Sequence, residues 1–366
     1  MLRVGMLTSG GDCQALNAAM RGVVKTLYKN CSDVEIYGFT DGYKGLMKGN
    51  YRLLKEADFS GILTRGGTIL GTSRQPFKYM ELPDEDGNDK VAAMIKTYSD
   101  LQLDCIVILG GNGTHNTANI LMNRGLNVVT LPKTIDNDLY GTDMSFGFHS
   151  AVDIATHTID CIHTTAASHS RVFIVELMGH KTGWLTLYAG LAGGADIILI
   201  PEIPYSTSAI VNAINERIRK GRDFTIIAVA EGAISKEESE LTKKELKALR
   251  KKQAAKYPSV AYKIGAELEA AGATCEVRVT VPGHVQRGGE PDAYDRVLST
   301  RLGVKAAELI MSQQYGYMPC VKNNKIDVIP LSEVAGKTRL VNPEDDIVEQ
   351  TRRLGICMGD YYKSKE

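Results

Sequence analysis

The chain has 366 residues, of which 43 are basic and 43 acidic, so its formal net charge is zero. This length predicts two domains or one large α/β unit, and the balanced charge excludes a general nucleic-acid binder. Hydrophobic residues make up 43% and charged residues 23%, which excludes a disordered chain. No run approaches the roughly 18 apolar residues that a membrane span needs.

The N-terminus and the cysteines indicate where the protein works. The chain enters a strand-like run at once, which leaves no room for a signal peptide. Its seven cysteines are scattered without a CxxC pair, which favours reduced thiols over a disulfide frame or a zinc site. We therefore expect a soluble, cytoplasmic protein with neither nucleic-acid nor membrane partners.

Short apolar runs that end in glycine-containing turns recur along the chain. Residues 4–7 lead into Gly10-Gly11-Asp12, residues 105–109 lead into residues 110–114, and a helical pattern follows each turn. Further predicted strands that end in turns cover residues 128–129, 172–177, 224–230 and 277–281. Continuous apolar strands that alternate with helices predict an α/β fold with mostly parallel sheets covered by helices.

The same pattern predicts two halves. The second half is expected to begin with a helix around residues 152–163. The segment around His284 is polar and rich in glycine, like the loops of the first half, so we expect the chain to cross back. The predicted boundaries are 1–147 plus about 286–336 for a larger domain, and about 148–285 plus 337–366 for a smaller one.

Residues 236–252 differ from the rest in composition, because 11 of these 17 residues are charged. Ser235 and Glu238 have the spacing of a capping box, which predicts the start of a helix. Its apolar stripe consists only of Leu241, Leu246 and Leu249. We interpret the segment as a solvated surface helix, with a partner-binding helix as the alternative.

The two glycine turns, Gly10-Gly11-Asp12 and residues 110–114, are typical of phosphate sites. Exposed N–H groups at the start of a helix attract phosphate, and glycine lets the backbone approach it. Neither turn has the spacing of a Walker loop or of GxGxxG. Two such turns in one chain favour phosphate binding over simple tight turns.

The stretch 131–138 carries the chemistry most directly. It places Lys133 and Thr134 beside two carboxylates, Asp136 and Asp138, which suits a base plus a metal-binding group near a phosphate. An Asp-Asn-Asp turn on its own is more often solvated, but this one follows an apolar strand in a chain with two phosphate turns. Arginines that suit phosphate recognition stand near the turns at positions 74, 171, 278 and 287.

These motifs resemble those of the 6-phosphofructokinase family, whose members use ATP or pyrophosphate. The resemblance runs in family order from about residue 3 to residue 305, and it is most specific in residues 134–138 and 283–289. The other matching motifs are residues 8–12 with Asn17, 66–74, 110–114, 168–171, 178–179 and Glu231. The resemblance implies two Rossmann-like α/β domains with the active site in the cleft between them, and commonly a homotetramer.

The resemblance also implies roles for individual residues. Asp136 would be the general base that takes the proton from the sugar 1-hydroxyl, and Thr134 would help to bind the transferring phosphoryl group. Gly11 and Arg74 would stabilise phosphoryl oxygens, and Lys133 would add positive charge. The donor-binding residues of the larger domain would be Gly10, Gly11, Tyr43, Arg74, Gly111, Asn112, Gly113 and Thr114.

Fructose 6-phosphate would bind mainly to the smaller domain, and Asp138 with Asn112 would hold Mg²⁺. The sugar-phosphate residues would be Thr134, Asp136, Asp138, Met178, Gly179, Glu231, His284 and Arg287. Arg171 and Arg278 would reach the 6-phosphate from a neighbouring subunit.

Three positions bear on the donor and on activity. Many relatives carry aspartate at Asn112, where an amide is a weaker magnesium ligand. Lys133 is found in pyrophosphate-dependent relatives and in some ATP-dependent ones. At Gly113 the pyrophosphate enzymes usually have aspartate, which fills the space that an ATP α-phosphate needs. We therefore predict an ATP-dependent 6-phosphofructokinase of glycolysis. The alternatives are a pyrophosphate-dependent enzyme and a catalytically weak, sugar-phosphate-binding regulatory subunit.

Overall fold

The computed structural model describes residues 1–84, 86–273 and 275–361. Within these residues the strands, in chain order, are β1 (Leu2–Thr8), β2 (Val34–Phe39), β3 (Tyr51–Leu54), β4 (Cys105–Gly110), β5 (Val128–Pro132), β6 (Val172–Leu177), β7 (Ile197–Leu199), β8 (Thr225–Ala230), β9 (Val277–Thr280), β10 (Tyr317–Lys322) and β11 (Lys325–Pro330).

The α-helices, in the same order, are α1 (Leu16–Asn30), α2 (Tyr43–Lys48), α3 (Lys90–Asp100), α4 (Asn112–Asn123), α5 (Phe148–His169), α6 (Trp184–Ala192), α7 (Thr207–Arg219), α8 (Lys236–Ser239), α9 (Lys243–Lys256), α10 (Val260–Ala270), α11 (Ala293–Met311), α12 (Leu331–Val334) and α13 (Asp346–Arg353). Short 3₁₀ helices cover Glu56–Phe59, Phe77–Tyr79 and Gly283–Arg287.

The chain divides into two compact units, Met1–Ser150 with Arg287–Arg339 and Ala151–Gln286 with Leu340–Glu366. The predicted boundaries at 147, 286 and 336 stand beside the observed 150, 287 and 339. The assignment of the donor to the first unit and of the sugar phosphate to the second stays a prediction.

The first unit is built on a seven-stranded sheet with the order β11-β10-β5-β4-β1-β2-β3. β3 and β11 pair antiparallel at its two edges, and the strands between them are parallel. All six residues of β4 are buried, as expected for a continuous apolar strand covered on both faces. Thr8 pairs with Leu109 and Gly110 with Pro132, so the turns after β1, β4 and β5 lie side by side.

Helices α1 and α11 of the first unit pack closely through glycine. A Cβ atom on Gly22 would lie 2.7 Å from the Thr300 carbonyl oxygen, and one on Gly303 would lie 2.4 Å from that of Ala19. A side chain at either position would push the helices apart. The contact fixes α11 against the helix that follows the first glycine turn.

The second unit contains a four-stranded sheet with the order β7-β8-β6-β9, in which all strands are parallel. Leu177 pairs with Ala230, so the turns that follow β6 and β8 are neighbours. Together the two sheets confirm the predicted α/β fold with mostly parallel, helix-covered sheets. No helix in the described part of the chain is long and apolar enough to cross a bilayer.

The charged segment 236–252 differs from the prediction of one helix. Ser235 and Glu238 form the predicted capping box, but α8 ends after one turn at Ser239. A second capping box, between Thr242 and Glu245, starts α9. Because the Thr242 hydroxyl accepts the N–H of Glu245 at 3.3 Å, the chain begins a new helix there instead of continuing the first.

Candidate active site

The first glycine turn is held against the end of β4. The N–H of Ser9 donates to the Leu109 carbonyl at 2.9 Å, and the Thr114 hydroxyl donates to the Ser9 carbonyl at 3.4 Å. Gly10 has a φ of 86°, in the left-handed region that favours glycine. These two bonds hold the two predicted phosphate turns side by side.

A loop of hydroxyl residues braces this turn and ends at Arg74. The Thr72 hydroxyl donates to the Gly10 carbonyl at 2.8 Å, and the N–H of Gly10 donates to the Ser73 carbonyl at 3.2 Å. The Thr8 hydroxyl donates to the Gly71 carbonyl at 2.8 Å. Arg74 follows directly and is exposed. The guanidinium group thus extends from a loop that is tied to the glycine turn.

The second turn, Gly111 to Thr114, opens α4. A Cβ atom on Gly113 would meet nothing within 4 Å, so the space above this position is open. Tyr43, which we expected among the donor-binding residues, is 1% exposed, and its hydroxyl donates to the Thr114 carbonyl at 2.8 Å. The structure places Tyr43 beneath the turn, where it supports the backbone and offers a donor no surface.

His115 is a buried support of the same turn. Its Nδ1 lies 2.9 Å from the Gly111 carbonyl oxygen, so this nitrogen carries the proton of the neutral ring. Burial lowers the pKa of His115 to about 4, and the charge of Lys133 acts in the same direction. The imidazole is therefore neutral near pH 7.

The loop after β5 carries the predicted base. The N–H of Lys133 donates to the Gly110 carbonyl at 3.1 Å, which joins the loop to the end of β4. The Thr134 hydroxyl accepts the N–H of Asp136 at 3.1 Å, and the Ser145 hydroxyl donates to the Thr134 carbonyl at 2.7 Å. These bonds hold Thr134 and Asp136 in a closed turn.

Lys133 joins this loop to the first glycine turn. Its Nζ donates to the Gly11 carbonyl at 2.5 Å, and the side chain is buried. Burial lowers the pKa of Lys133, the carboxylates of Asp136 and Asp138 oppose that shift, and Arg287 reinforces it. Lys133 therefore shares one electrostatic environment with the predicted base, the predicted metal ligand and a second cation.

Arg287 belongs to this group by position as well. A Cβ atom on Gly11 would lie 2.9 Å from the guanidinium carbon of Arg287, so the guanidinium lies against the glycine turn. A side chain at position 11 would displace it. We predicted Arg287 as a sugar-phosphate residue, and its place beside Gly11 brings a planar cation close to the predicted phosphoryl position.

The predicted magnesium residues contact each other. Nδ2 of Asn112 donates to the Asp138 carboxylate at 2.7 Å and to its backbone carbonyl at 3.3 Å. In the described ranges no group of three or more His, Cys, Asp or Glu side chains could hold a metal. The pair offers one carboxylate and one amide oxygen, which fits Mg²⁺ that is bound mainly by phosphates and water.

Four of the predicted sugar-phosphate residues meet in the second unit. Glu231 accepts the N–H of His180 at 2.8 Å, which joins the turn after β8 to the turn after β6. The side-chain oxygen of Gln286 accepts the N–H of Met178 at 3.2 Å, and its amide group donates to Gly283 at 3.0 Å. The predicted residues that these bonds bring together are Met178, Gly179, Glu231 and His284.

Arg171 and Arg278 lie elsewhere in the second unit. Arg171 precedes β6 and donates to Glu276 at 2.5 Å, and Arg278 forms an ion pair with the same carboxylate. Arg171 and Met178 stand at opposite ends of β6, which at about 3.3 Å per residue separates them by roughly 20 Å. Within one chain, Arg171 does not join the Met178 turn.

Two residues that support the site are not among the predicted site residues. Gln286 lies in a matching motif, so the motif could have drawn attention to it. Asp295 is fully buried, and its carboxylate accepts the N–H groups of Gly147 and Ser150 at 3.0 and 2.9 Å. No sequence pattern marks Asp295, because its partners lie 145 or more positions away.

Comparisons with known proteins identify the family of this chain. The phosphofructokinase family profile matches residues 3–310. The chain is 54% identical over 359 residues to an ATP-dependent 6-phosphofructokinase of Spirochaeta thermophila, with 97% of each chain covered. It is 46% identical over 361 residues to ATP-dependent 6-phosphofructokinase 3 of Bacteroides thetaiotaomicron, with 98% of this chain and 100% of that one covered.

Solved structures give the same result. The chain matches the phosphofructokinase of Pichia pastoris with a TM-score of 0.75 and 32% identity, over 91% of its own length and 35% of that longer chain. The pyrophosphate-dependent phosphofructokinase of Nitrosospira multiformis matches with a TM-score of 0.79 over 100% and 94% of the chains, but at 19% identity it supports the fold alone. From its family profile and its relatives, the chain belongs to the phosphofructokinase family.

Proposed function

We propose that the chain transfers the γ-phosphoryl group of ATP to the 1-hydroxyl of fructose 6-phosphate, giving fructose 1,6-bisphosphate in cytoplasmic glycolysis. The observation that carries this proposal is the group around Lys133. This lysine contacts the Gly11 turn, and the charges of Asp136, Asp138 and Arg287 all influence its pKa. A base, a phosphate turn and two cations are thus held in one place.

Each member of the group has a task in phosphoryl transfer. Asp136 takes the proton from the attacking hydroxyl, and the N–H of Gly11 and the Thr134 hydroxyl donate to phosphoryl oxygens. Lys133 and Arg74 supply positive charge. Such transfers depend on positioning and on charge stabilisation, which a preformed set of donors provides at low cost in reorganisation.

The sugar phosphate is assigned to the turns after β6 and β8. Met178 and Gly179 present backbone groups to the sugar there, and the Glu231 carboxylate accepts hydrogen bonds from its hydroxyl groups. His284 is exposed and lies two residues from Gln286, which holds the Met178 turn. This assignment gives the second unit the recognition of fructose 6-phosphate.

Mg²⁺ fits the pair of Asp138 and Asn112. The Asp138 carboxylate would ligate the ion directly, and Asn112 would turn its amide oxygen toward it. When bound, Mg²⁺ neutralises charge on the donor phosphates. Because Asn112 contributes a neutral amide in place of a second carboxylate, the pair itself would bind the ion weakly and the nucleotide phosphates would carry most of the binding.

Arg171 and Arg278 support a shared site in a homotetramer. Both are held by Glu276, at the end of β6 opposite to the Met178 turn of the same chain. Two neighbouring guanidinium groups suit a phosphate. We assign them to the 6-phosphate of a sugar bound by a neighbouring subunit.

Pyrophosphate is the second candidate donor, and Lys133 is the observation that favours it. A buried cation suits a compact diphosphate. Gly113 favours ATP, because a Cβ atom there would meet nothing within 4 Å and the space stays open. A regulatory subunit with weak catalysis is supported only by Asn112 and is disfavoured by the intact group of Asp136, Thr134 and Arg74.

The deciding experiment compares donors and removes the base. Purified protein is assayed for fructose 1,6-bisphosphate with ATP or with pyrophosphate, and faster turnover with ATP is expected. Asp136→Asn should lower kcat by about two to four orders of magnitude, the usual scale for a lost general base. Binding of fructose 6-phosphate, followed by calorimetry, should change little. More than a tenth of the normal kcat would remove Asp136 from this role.

A further inference from the structure

Asp295 is a buried carboxylate outside the predicted site. It lies in the first turn of α11 and has no exposed surface. Its two oxygens accept the N–H groups of Gly147 and Ser150 at 3.0 and 2.9 Å and the Ser150 hydroxyl at 2.6 Å. A buried charge persists only with such partners, so Asp295 fixes the start of α11 to the start of α5.

Gly147 ends the loop that follows β5 and carries Thr134 and Asp136. It has a φ of 96°, and a Cβ atom there would lie 2.6 Å from Sγ of Cys13, the residue after the first glycine turn. The preceding Phe146 donates its N–H to the Pro132 carbonyl at 3.1 Å. One residue earlier, Ser145 donates to Thr134. Any shift of Gly147 therefore moves the loop that carries Thr134 and Asp136.

The other side of Asp295 leads to Arg287. The N–H of Asp295 donates to the Asp292 side chain at 2.7 Å, and the N–H of Asp292 donates to the Ser150 hydroxyl at 3.0 Å. Before Asp292 the chain runs back through Gly289, whose carbonyl oxygen would lie 1.9 Å from a Cβ atom on Gly66. Arg287 comes two residues before Gly289 and lies against Gly11.

We propose that Asp295, acting through Ser150 and Gly147, is a positioning residue that sets the Thr134–Asp136 loop relative to Arg287 and the Gly11 turn. The proposal rests on the proposed phosphoryl transfer. Asp295 touches neither substrate in this role. Small displacements of reacting groups lower turnover steeply, so the loss of this link should appear in kcat.

The test compares three substitutions. Asp295→Asn keeps the shape but loses the charge and one acceptor, and Ser150→Ala removes only the hydroxyl. Ser299→Ala is the matched control. The Ser299 hydroxyl is buried like that of Ser150, but it donates to the backbone carbonyl of Asp295 and not to its carboxylate. We expect kcat to fall roughly tenfold or more in the first two variants and to stay near the wild-type value in Ser299→Ala.

Hydrogen exchange supplies the second readout. Peptides that cover residues 133–150 should exchange faster in Ser150→Ala than in Ser299→Ala, while the rest of the chain stays protected. Wild-type kcat and unchanged exchange in Ser150→Ala would overturn the proposal, even if Asp295→Asn does not fold. An increase in exchange of the same size in all peptides of Ser150→Ala would also overturn it, since that result indicates a general loss of stability. If the wild type makes no fructose 1,6-bisphosphate, the proposed function fails, and the exchange data alone decide the positioning role.

Discussion

His115 shows how a single buried side chain makes the stability of the turn at the start of α4 dependent on pH. Its Nδ1 holds the Gly111 carbonyl at the start of α4, and burial lowers its pKa from 6.5 to about 4. Between pH 6.5 and pH 4, His115 therefore binds a proton in the unfolded chain but not in the folded chain. The stability that depends on neutral His115 is complete above about pH 6.5 and is lost as the pH falls toward 4.

This sign leads to a measurable prediction. The free energy of unfolding should fall between pH 6.5 and pH 4, by on the order of 3 kcal/mol for this group. His115→Asn keeps an N–H near the position of Nδ1 and cannot take up the proton. Urea unfolding of both proteins at several pH values should give curves that diverge with acid, and the wild type should lose more stability. Parallel curves would mean that His115 is not protonated on unfolding.

Gly113 tests the choice of donor at the residue scale. Its position in α4 is open, and Gly113 is not among the glycines with positive φ, so an aspartate can stand there without backbone strain. Gly113→Asp should fill the space above the turn and add a negative charge that repels the nucleotide phosphates. We expect KM for ATP to rise more than tenfold.

Gly113→Asn separates size from charge. If space decides, the neutral side chain should weaken ATP use as much as the aspartate does. If charge decides, the asparagine variant should keep most of the ATP activity. A Gly113→Asp protein that uses ATP as well as the wild type does would exclude Gly113 as the residue that selects the donor.

At the scale of elements, helix α9 carries unusual like-charge spacing. Lys243, Lys247 and Lys251 follow each other at i, i+4, and none of them forms an ion pair with another described residue. Glu245 is occupied with the capping of Thr242. Like charges at this spacing destabilise a helix. None of the residues of α9 is buried, so these lysines repel one another on a solvated surface, and the Gln253 amide ties the helix to Glu238 at 2.6 Å.

Lys247→Glu should make α9 more stable. The new glutamate stands four residues before Lys251 and four after Lys243, which replaces two repulsions with two attractions of a few tenths of a kcal/mol each. Lys247→Gln removes the repulsion alone and should give about half the gain in thermal unfolding temperature. The gain should disappear in 1 M salt, and kcat should not change. A lower kcat would contradict the interpretation of this segment as a solvated surface helix without a role in the reaction.

The sequence predicts some elements better than others for physical reasons. β1, β4, β5, β6 and β8 are largely apolar runs, and a central parallel strand needs apolar side chains on both faces. β3, in contrast, is an antiparallel edge strand with three exposed residues out of four, and β7 has only three residues. The sequence of β3 therefore leaves no clear apolar pattern, whereas β7 is an apolar run too short to be told from a buried helix by its pattern alone. The break between α8 and α9 depends on the Thr242 cap, which could not be recognised within a continuous run of charged residues.

The site follows the same rule. The turns after β1, β4 and β5 could be placed together because parallel strands end at one edge of a sheet. The burial of Tyr43 and the contacts of Asp295 could not, since they depend on residues about 70 to 150 positions away. Chemistry that a strand end presents is visible in sequence, and support from distant elements is not.

At the scale of the whole molecule, Arg171 raises the question of how many chains make one site. It is held by Glu276 at the start of β6, at the other end of the strand from Met178. A guanidinium group in that place does not reach the Met178 turn of its own chain, to which we assign the sugar phosphate. If the 6-phosphate needs it, the arginine must come from a neighbouring subunit.

Mixing two inactive proteins tests this arrangement. Asp136→Asn removes the base, and Arg171→Ala removes a charge-assisted phosphate contact, so each homo-oligomer should be nearly inactive at low fructose 6-phosphate. After subunit exchange, a site that takes Asp136 from one chain and Arg171 from its neighbour has both groups again. We expect the mixture to recover activity toward a quarter of the wild-type value, because about a quarter of the sites then combine the two intact residues. Exchange is checked with differently tagged subunits, and each variant is incubated alone as the control. If tagged hybrids form and activity stays at the level of the separate variants, then each site is built within one chain, and the role of Arg171 across the subunit boundary is wrong.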